Sequence, residues 1–118
     1  MILGQNPENS QAIKKAIDYL KSCQEYGGGF NSGNNWLTSG SNAASTSWVL
    51  QGLIAAGEYP SGDPWIKGSN TPVSFLLNLQ DEDGFYNWKP DVEASPVTIT
   101  AHTMMAFPLI SGRLALLI

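Results

Sequence analysis

The sequence contains a single cysteine, Cys23, in 118 residues, so no disulfide forms within the chain and its stability must come from packing and hydrogen bonds. Charge is scarce as well. Charged residues make up 14%, only six of them Lys or Arg, and the net charge is −4. Phosphate recognition needs clustered cations, so nucleic acid is excluded as a partner. No apolar run reaches the roughly 18 to 20 residues of a membrane span. The opening residues, Met1-Ile2-Leu3-Gly4-Gln5-Asn6, carry neither the basic nor the long apolar region of a signal peptide. Alternating apolar runs bracketed by hairpin dipeptides are missing, which argues against a β-architecture. Ser-His-Asp, phosphate-cradling Gly-Lys and thioester Cys-Gly-Glu-Gln patterns are missing too.

What remains is 42% hydrophobic, with Gly, Ser, Asn and Thr filling the stretches between apolar segments. This is nearer to secreted or surface proteins than to charge-rich cytosolic ones, so an extracellular or cell-surface location is the expectation. The length fits one domain with a modest core.

The chain repeats itself. Gln24-Glu25-Tyr26-Gly27-Gly28-Gly29-Phe30 and Gln80-Asp81-Glu82-Asp83-Gly84-Phe85-Tyr86 are two versions of one motif, their glutamines 56 positions apart. Thr46-Ser47-Trp48-Val49-Leu50-Gln51-Gly52-Leu53 lies over Thr100-Ala101-His102-Thr103-Met104-Met105-Ala106-Phe107 at an offset of 54. Self-similarity of this period signals stacked supersecondary units, here about 12–57 and about 71–112 in one domain spanning 1–118.

Local signals supply the elements. Ala12, Ile13, Ala16, Ile17 and Leu20 recur at helical spacing opposite Lys14, Lys15, Asp18 and Lys21, with Ser10 as N-cap. A loop of five glycines follows from Tyr26 to Asn42, with Phe30 and Trp36 as anchors. A second helix starts near 43–45, carries Trp48, Val49, Leu53 and Ile54 almost without charge, and stops at Gly57. That helix is expected to be covered on more than one side, Trp48 included. Thr71-Pro72 and Ser95-Pro96 are start signals for two further helices, the third running to about Leu79 and the fourth ending or kinking at Pro108. The tail Arg113-Leu114-Ala115-Leu116-Leu117-Ile118 is apolar and uncapped. Two such units rarely bury their own faces, so packing against further repeats or another chain is expected.

The pattern of a helix, then Gln24/Gly28/Phe30 or Gln80/Gly84/Phe85, then a helix of the Thr46, Leu50, Leu53 type, resembles the α/α-toroid superfamily of terpenoid cyclases and protein prenyltransferase β-subunits. It is similar to the Gln-Trp motif of squalene cyclases. Ser45 to Gly57 and Thr71 to Gln80 look most like prenyltransferase-like segments of Gram-positive surface proteins, which themselves resemble the helical barrel of cobalamin carriers. The resemblance implies an all-α fold, two helix-pair repeats of a partial barrel of alternating inner and outer helices. Read physically, the motif glutamine donates to free carbonyls at the helix end and accepts from the next helix's free N–H groups, the glycines permit positive φ, and the aromatic covers the junction.

Chemistry is sparser. Cyclases protonate an alkene with an Asp-x-Asp-Asp motif, and a crowded carboxyl keeps its proton more readily. Here Asp81-Glu82-Asp83 ends in Gly84 and sits inside a glutamine motif, so a solvated loop is the expectation. The same acids lack the third oxygen and distal glutamate of an EF-hand, although Asp91 and Glu93 lie near in sequence. Prenyltransferases hold zinc with Asp, Cys and His, but Cys23 follows Lys21 at a helix end and His102 stands at the repeat position of Trp48, a packing position. No catalytic residue, metal or cofactor is therefore assigned. The loop aromatics Tyr26, Trp36, Trp65, Tyr86 and Trp88 suit stacking on a hydrophobic or ring-containing small molecule or a carbohydrate, and equally suit junction packing. The leading expectation is a non-catalytic ligand- or partner-binding module of a bacterial surface or secreted protein. Two alternatives stay open: a fragment of a cyclase or prenyltransferase with its catalytic residues outside this chain, and an assembly scaffold.

Overall fold

Three of the four helices begin where a side chain takes over a free backbone N–H. Ser10 accepts from the Ile13 N–H at 3.3 Å and opens α1 (Gln11–Cys23). Asn42 accepts from Ser45 at 2.8 Å and opens α2 (Ala43–Ala55). Thr71 and Ser74 exchange hydrogen bonds in a full capping box, with Pro72 in the first turn, to open α3 (Pro72–Leu77). The last helix is α4 (Pro96–Leu117). The computed structural model describes residues 10–31 and 40–117, with side chains through 107. Trp36 and Ile118 lie outside the described residues, as do the side chains of the rest of the apolar tail.

The fold is all-α, and among the described residues only isolated bridges such as Gln80 with Tyr86 have extended pairing. At the end of α2, Gly57 at φ 88° donates to the Ile54 carbonyl and Glu58 donates to Leu53, the two bonds of a Schellman ending. Two expectations fail at helix ends. α3 stops at Leu77 rather than Leu79, because the Leu79 carbonyl is taken by the backbone and side chain of Asn87 as the chain turns back. α4 runs on past Pro108 to Leu117, since a proline removes one donor only and Leu and Ala after it favour helix.

The two glutamine motifs fold into the same turn. Gln24 Nε2 donates to the Gly28 carbonyl at 3.1 Å, and Gln80 Nε2 to Gly84 at 2.9 Å. Glu25 N–H reaches Gly29 and Asp81 N–H reaches Phe85, at 2.9 and 2.8 Å. The N–H of Phe30 donates to Thr46 Oγ1 at 3.0 Å, and the N–H of Tyr86 to Thr100 Oγ1 at 2.8 Å. This register corrects the motif's aromatic position. Tyr86, not Phe85, is the counterpart of Phe30; both counterparts are buried, while Phe85 is half-exposed. The glutamine's role also differs from expectation. Gln24 Nε2 makes its second bond to the Trp65 carbonyl at 2.8 Å, and its Oε1 has no partner, because the Thr71–Ser74 box already occupies the N–H groups that open α3.

The core has two parts divided by α2. Phe30, Leu53 and Trp65 form one, with Ile17, Leu20, Cys23 and Val49 packed against them. Ala43, Leu50, Phe75, Leu76, Leu79, Tyr86 and Ala106 form the other, with Val73, Ile99 and Phe107 at its edge. α2 packs against both α3 and α4, which accounts for its lack of charge. Trp48 is nonetheless exposed, its ring edge-on to His102 at 4.9 Å, because Thr46, Ser47, Leu50 and Leu53 occupy the covered face.

Two measurements test this arrangement. Gly28 and Gly84 both have positive φ, but a Cβ on Gly28 would stand 2.4 Å from the Thr71 carbonyl oxygen while Gly84 faces open space. Gly84→Ala should cost only the backbone penalty of about 1–2 kcal/mol, and Gly28→Ala distinctly more, in denaturant unfolding. Burial pushes the Tyr86 phenol up, so the folded state holds that proton more firmly than the unfolded chain. The associated stabilisation is present below about pH 10 and is lost as pH rises further; Tyr86→Phe should flatten that alkaline loss in thermal melts.

Candidate functional site

The loop aromatics are not gathered into one site. Trp65 is enclosed, its Nε1 donating to Glu58 Oε1 at 3.0 Å and its ring 6.4 Å from Phe30. Tyr86 is buried beside Phe107 at 5.9 Å, in the other half of the core. Neither ring has a face open to a ligand, because each closes a junction between turn and helix. This corrects the reading of both as ligand-binding positions. Trp88 is half-buried, with Lys89 Nζ 4.6 Å over its ring, and its carbonyl accepts from the Ala43 N–H at 2.7 Å. Tyr26 is exposed, and its carbonyl accepts from Asn70 Nδ2 at 3.1 Å. Trp36 lies outside the described residues.

The acidic trio occupies the tight turn of the second motif. Asp81 Oδ1 accepts from the Asp83 N–H at 3.1 Å, and Glu82 and Asp83 are exposed. Among the described residues no three His, Cys, Asp or Glu side chains are grouped to hold a metal ion. Cys23 is half-buried at the end of α1, where its hydrogen bond and charge push the Tyr19 phenol up. His102 Nε2 is buried and unpartnered, as are Ser47 Oγ, Gln51 Nε2 and Thr103 Oγ1. All four belong to α2 and α4, a concentration of unmet polar atoms that sequence reasoning passed over. Its only trace in the sequence is polar residues interrupting nearly uncharged helices.

Two apolar depressions open on the surface of the described residues. One, of about 300 Å³, is lined by Tyr19, Leu20, Cys23, Phe30, Trp48 and Val49 among others. The other, of about 510 Å³, is lined by Phe85, Pro96, Val97, Thr100, Ala101 and Met104 together with Gly84. Their residues come from separate elements, so no contiguous motif announces them. Among the described residues no helix is long and apolar enough to cross a membrane.

No protein-family model matches the chain, and no solved structure matches it. Squalene–hopene cyclase of Zymomonas mobilis subsp. mobilis is 34% identical over 93 residues, covering 72% of this chain. The chain spans 13% of the length of that protein. The likeness supports a terpenoid cyclase-like relationship and does not reach the surface proteins or the cobalamin carriers.

Proposed function

We propose that this chain is a structural segment of a terpenoid cyclase-like α/α-toroid, two helix-pair repeats (about 12–57 and 71–112) that supply wall and apolar surface rather than a catalytic acid. The likeness to a squalene–hopene cyclase over 93 residues carries this reading. The chemistry of the carboxylates agrees with it. A group that protonates an alkene has to hold its proton, which requires desolvation or crowding. No described carboxylate is buried, and the half-buried ones are engaged as acceptors: Glu25 from Ser41 Oγ, Glu58 from Trp65 Nε1, Asp81 from the Asp83 N–H. Incubation of the purified chain with detergent-dispersed squalene, followed by gas chromatography–mass spectrometry, should give no cyclised product. Asp81→Asn/Asp83→Asn should melt within about 0.5 kcal/mol of the unmodified chain. A cyclised triterpene that disappears in the double variant would overturn the reading.

A second reading, a ligand- or partner-binding module of a bacterial surface or secreted protein, draws on one observation. Tyr26 leaves 77% of its surface open at the tip of the first turn, beside a chain segment of low charge. A carbohydrate or a ring-containing, hydrophobic small molecule fits such a ring. Under this reading, tryptophan fluorescence titrated with soluble oligosaccharides or with cobalamin shows a saturable change that Tyr26→Ala diminishes. A flat titration with both removes it.

A further inference from the structure

The unmet polar atoms of α2 and α4 fall in one place. The Ala43 N–H, at the start of α2, donates to the Trp88 carbonyl, and Thr100, early in α4, accepts from the Tyr86 N–H. Both helices therefore start beside residues 86–88 and run side by side in the same direction. The contact of Trp48 with His102 at 4.9 Å fixes their register. Val49 packs against the cluster of Phe30, Leu53 and Trp65, whereas Ser47 and Gln51 lie on the opposite side of α2, toward α4. On α4, Ala106 packs in the cluster that contains Leu50, and Thr103, one turn before it, is fully buried as well. With 1.5 Å of rise per residue, the levels of Ser47, His102, Thr103 and Gln51 span about 6 Å. Ser47 Oγ, Thr103 Oγ1, Gln51 Nε2 and His102 Nε2 thus converge on one seam inside the chain, and none has a hydrogen-bond partner.

The fold does not require polarity at these positions. At the repeat offset of 54, Ser47 stands over Ala101, Gln51 over Met105, His102 over Trp48 and Thr103 over Val49. Each of the four has an aliphatic, thioether or aromatic counterpart, and the polar member is in every case the one at the seam. Ser47 and Thr103 are fully buried, where an unmet hydroxyl is costly. Neither bonds to a carbonyl of its own preceding turn, the usual recourse of Ser and Thr in helices. Gln51 and His102 are half-buried at the outer edge, and Gly52 beside them would carry a Cβ that meets nothing within 4 Å. The seam is closed inside and opens outward.

We propose that this seam is a water-binding site: at least one ordered molecule bridges the Ser47 and Thr103 hydroxyls, with Gln51 Nε2 donating to it and His102 Nε2 completing its shell toward Trp48. The occupant has to accept from Gln51 Nε2, which only donates, while the two hydroxyls can donate or accept. A cation fails the first requirement. An anion would find no Lys or Arg on α2, or on α4 up to residue 112, to offset its burial. Water is neutral, donates twice and accepts twice, and buried waters typically make about three hydrogen bonds to groups otherwise unmet. Both walls of the seam belong to this chain, so the site is independent of any flanking segment. It is independent of cyclase-like chemistry too, and the squalene experiment and the one below fail separately.

The test is oxygen-17 magnetic relaxation dispersion of water on the full chain, which follows the water oxygen and is blind to proton exchange with hydroxyls. The unmodified chain should show a dispersion from at least one water held longer than the tumbling time of the molecule. Ser47→Ala/Thr103→Val removes both hydroxyls with little change in volume, and should lower the amplitude by the equivalent of one water or more with an unchanged circular dichroism spectrum. Gln51→Leu, at a half-buried position, is the second variant and should give the same loss if the first does not fold. Melting midpoints supply an independent readout. Ser47→Ala and Thr103→Val should each lower the midpoint, and together by less than the sum, because the first substitution already breaks the bridge. An unmodified chain without dispersion, an amplitude unchanged in a folded variant, or strictly additive melting shifts would each overturn the proposal.

Discussion

After each glycine turn the chain must bring an aromatic residue inward, and the N–H of that residue goes with it. In both halves a threonine hydroxyl on the following helix meets that N–H: Thr46 for Phe30 and Thr100 for Tyr86. A buried N–H left unmet costs about 1–3 kcal/mol, so the hydroxyl sets how far the turn stands from the second helix. The two rings then fall into the two parts of the core, Phe30 with Leu53 and Trp65, Tyr86 with Leu76, Leu79 and Ala106. The glycine's positive φ and the glutamine's bond back to the glycine carbonyl hold the turn in that position. In the first half the Asn42 N–H adds a further directional bond, to the Phe30 carbonyl at 3.0 Å.

The consequence for function is a division of labour along the chain. The interior is spent on packing: Trp65 and Tyr86, aromatic and in loops, are consumed by junctions. The acids remain in contact with water or act as acceptors in turns, and the cyclase-like likeness extends over a chain with no described buried carboxylate. What the surface offers instead is apolar relief, the depressions around Tyr19 and Met104. The proposed cyclase-like wall draws on this property, since repeating units bury their faces by stacking.

Much of the fold was legible because its signals are local. Ser10, Thr71-Pro72 and Gly57 act through neighbours within a few residues, and the bonds they make are those their residue types allow anywhere. The repeat was legible because self-similarity needs no structure to be seen. The candidate site was less so. Tyr26 is open and Trp88 partly open, as loop positions suggest, but the sequence cannot distinguish a loop ring that caps a core from one that faces water.

By itself the sequence determined that the protein is helical, that its units repeat at an interval of about 56, and where its helices begin. Only the tertiary structure decided that Tyr86 rather than Phe85 closes the second turn, that α3 ends at Leu77, that Trp48 faces outward and that Gln24 reaches Trp65. The physical reason is the same in each case. Helix starts are settled by hydrogen bonds between near neighbours, whereas burial and bond partners are settled by competition among groups far apart in sequence, such as Gln24 and Trp65, or Leu50 and Leu76.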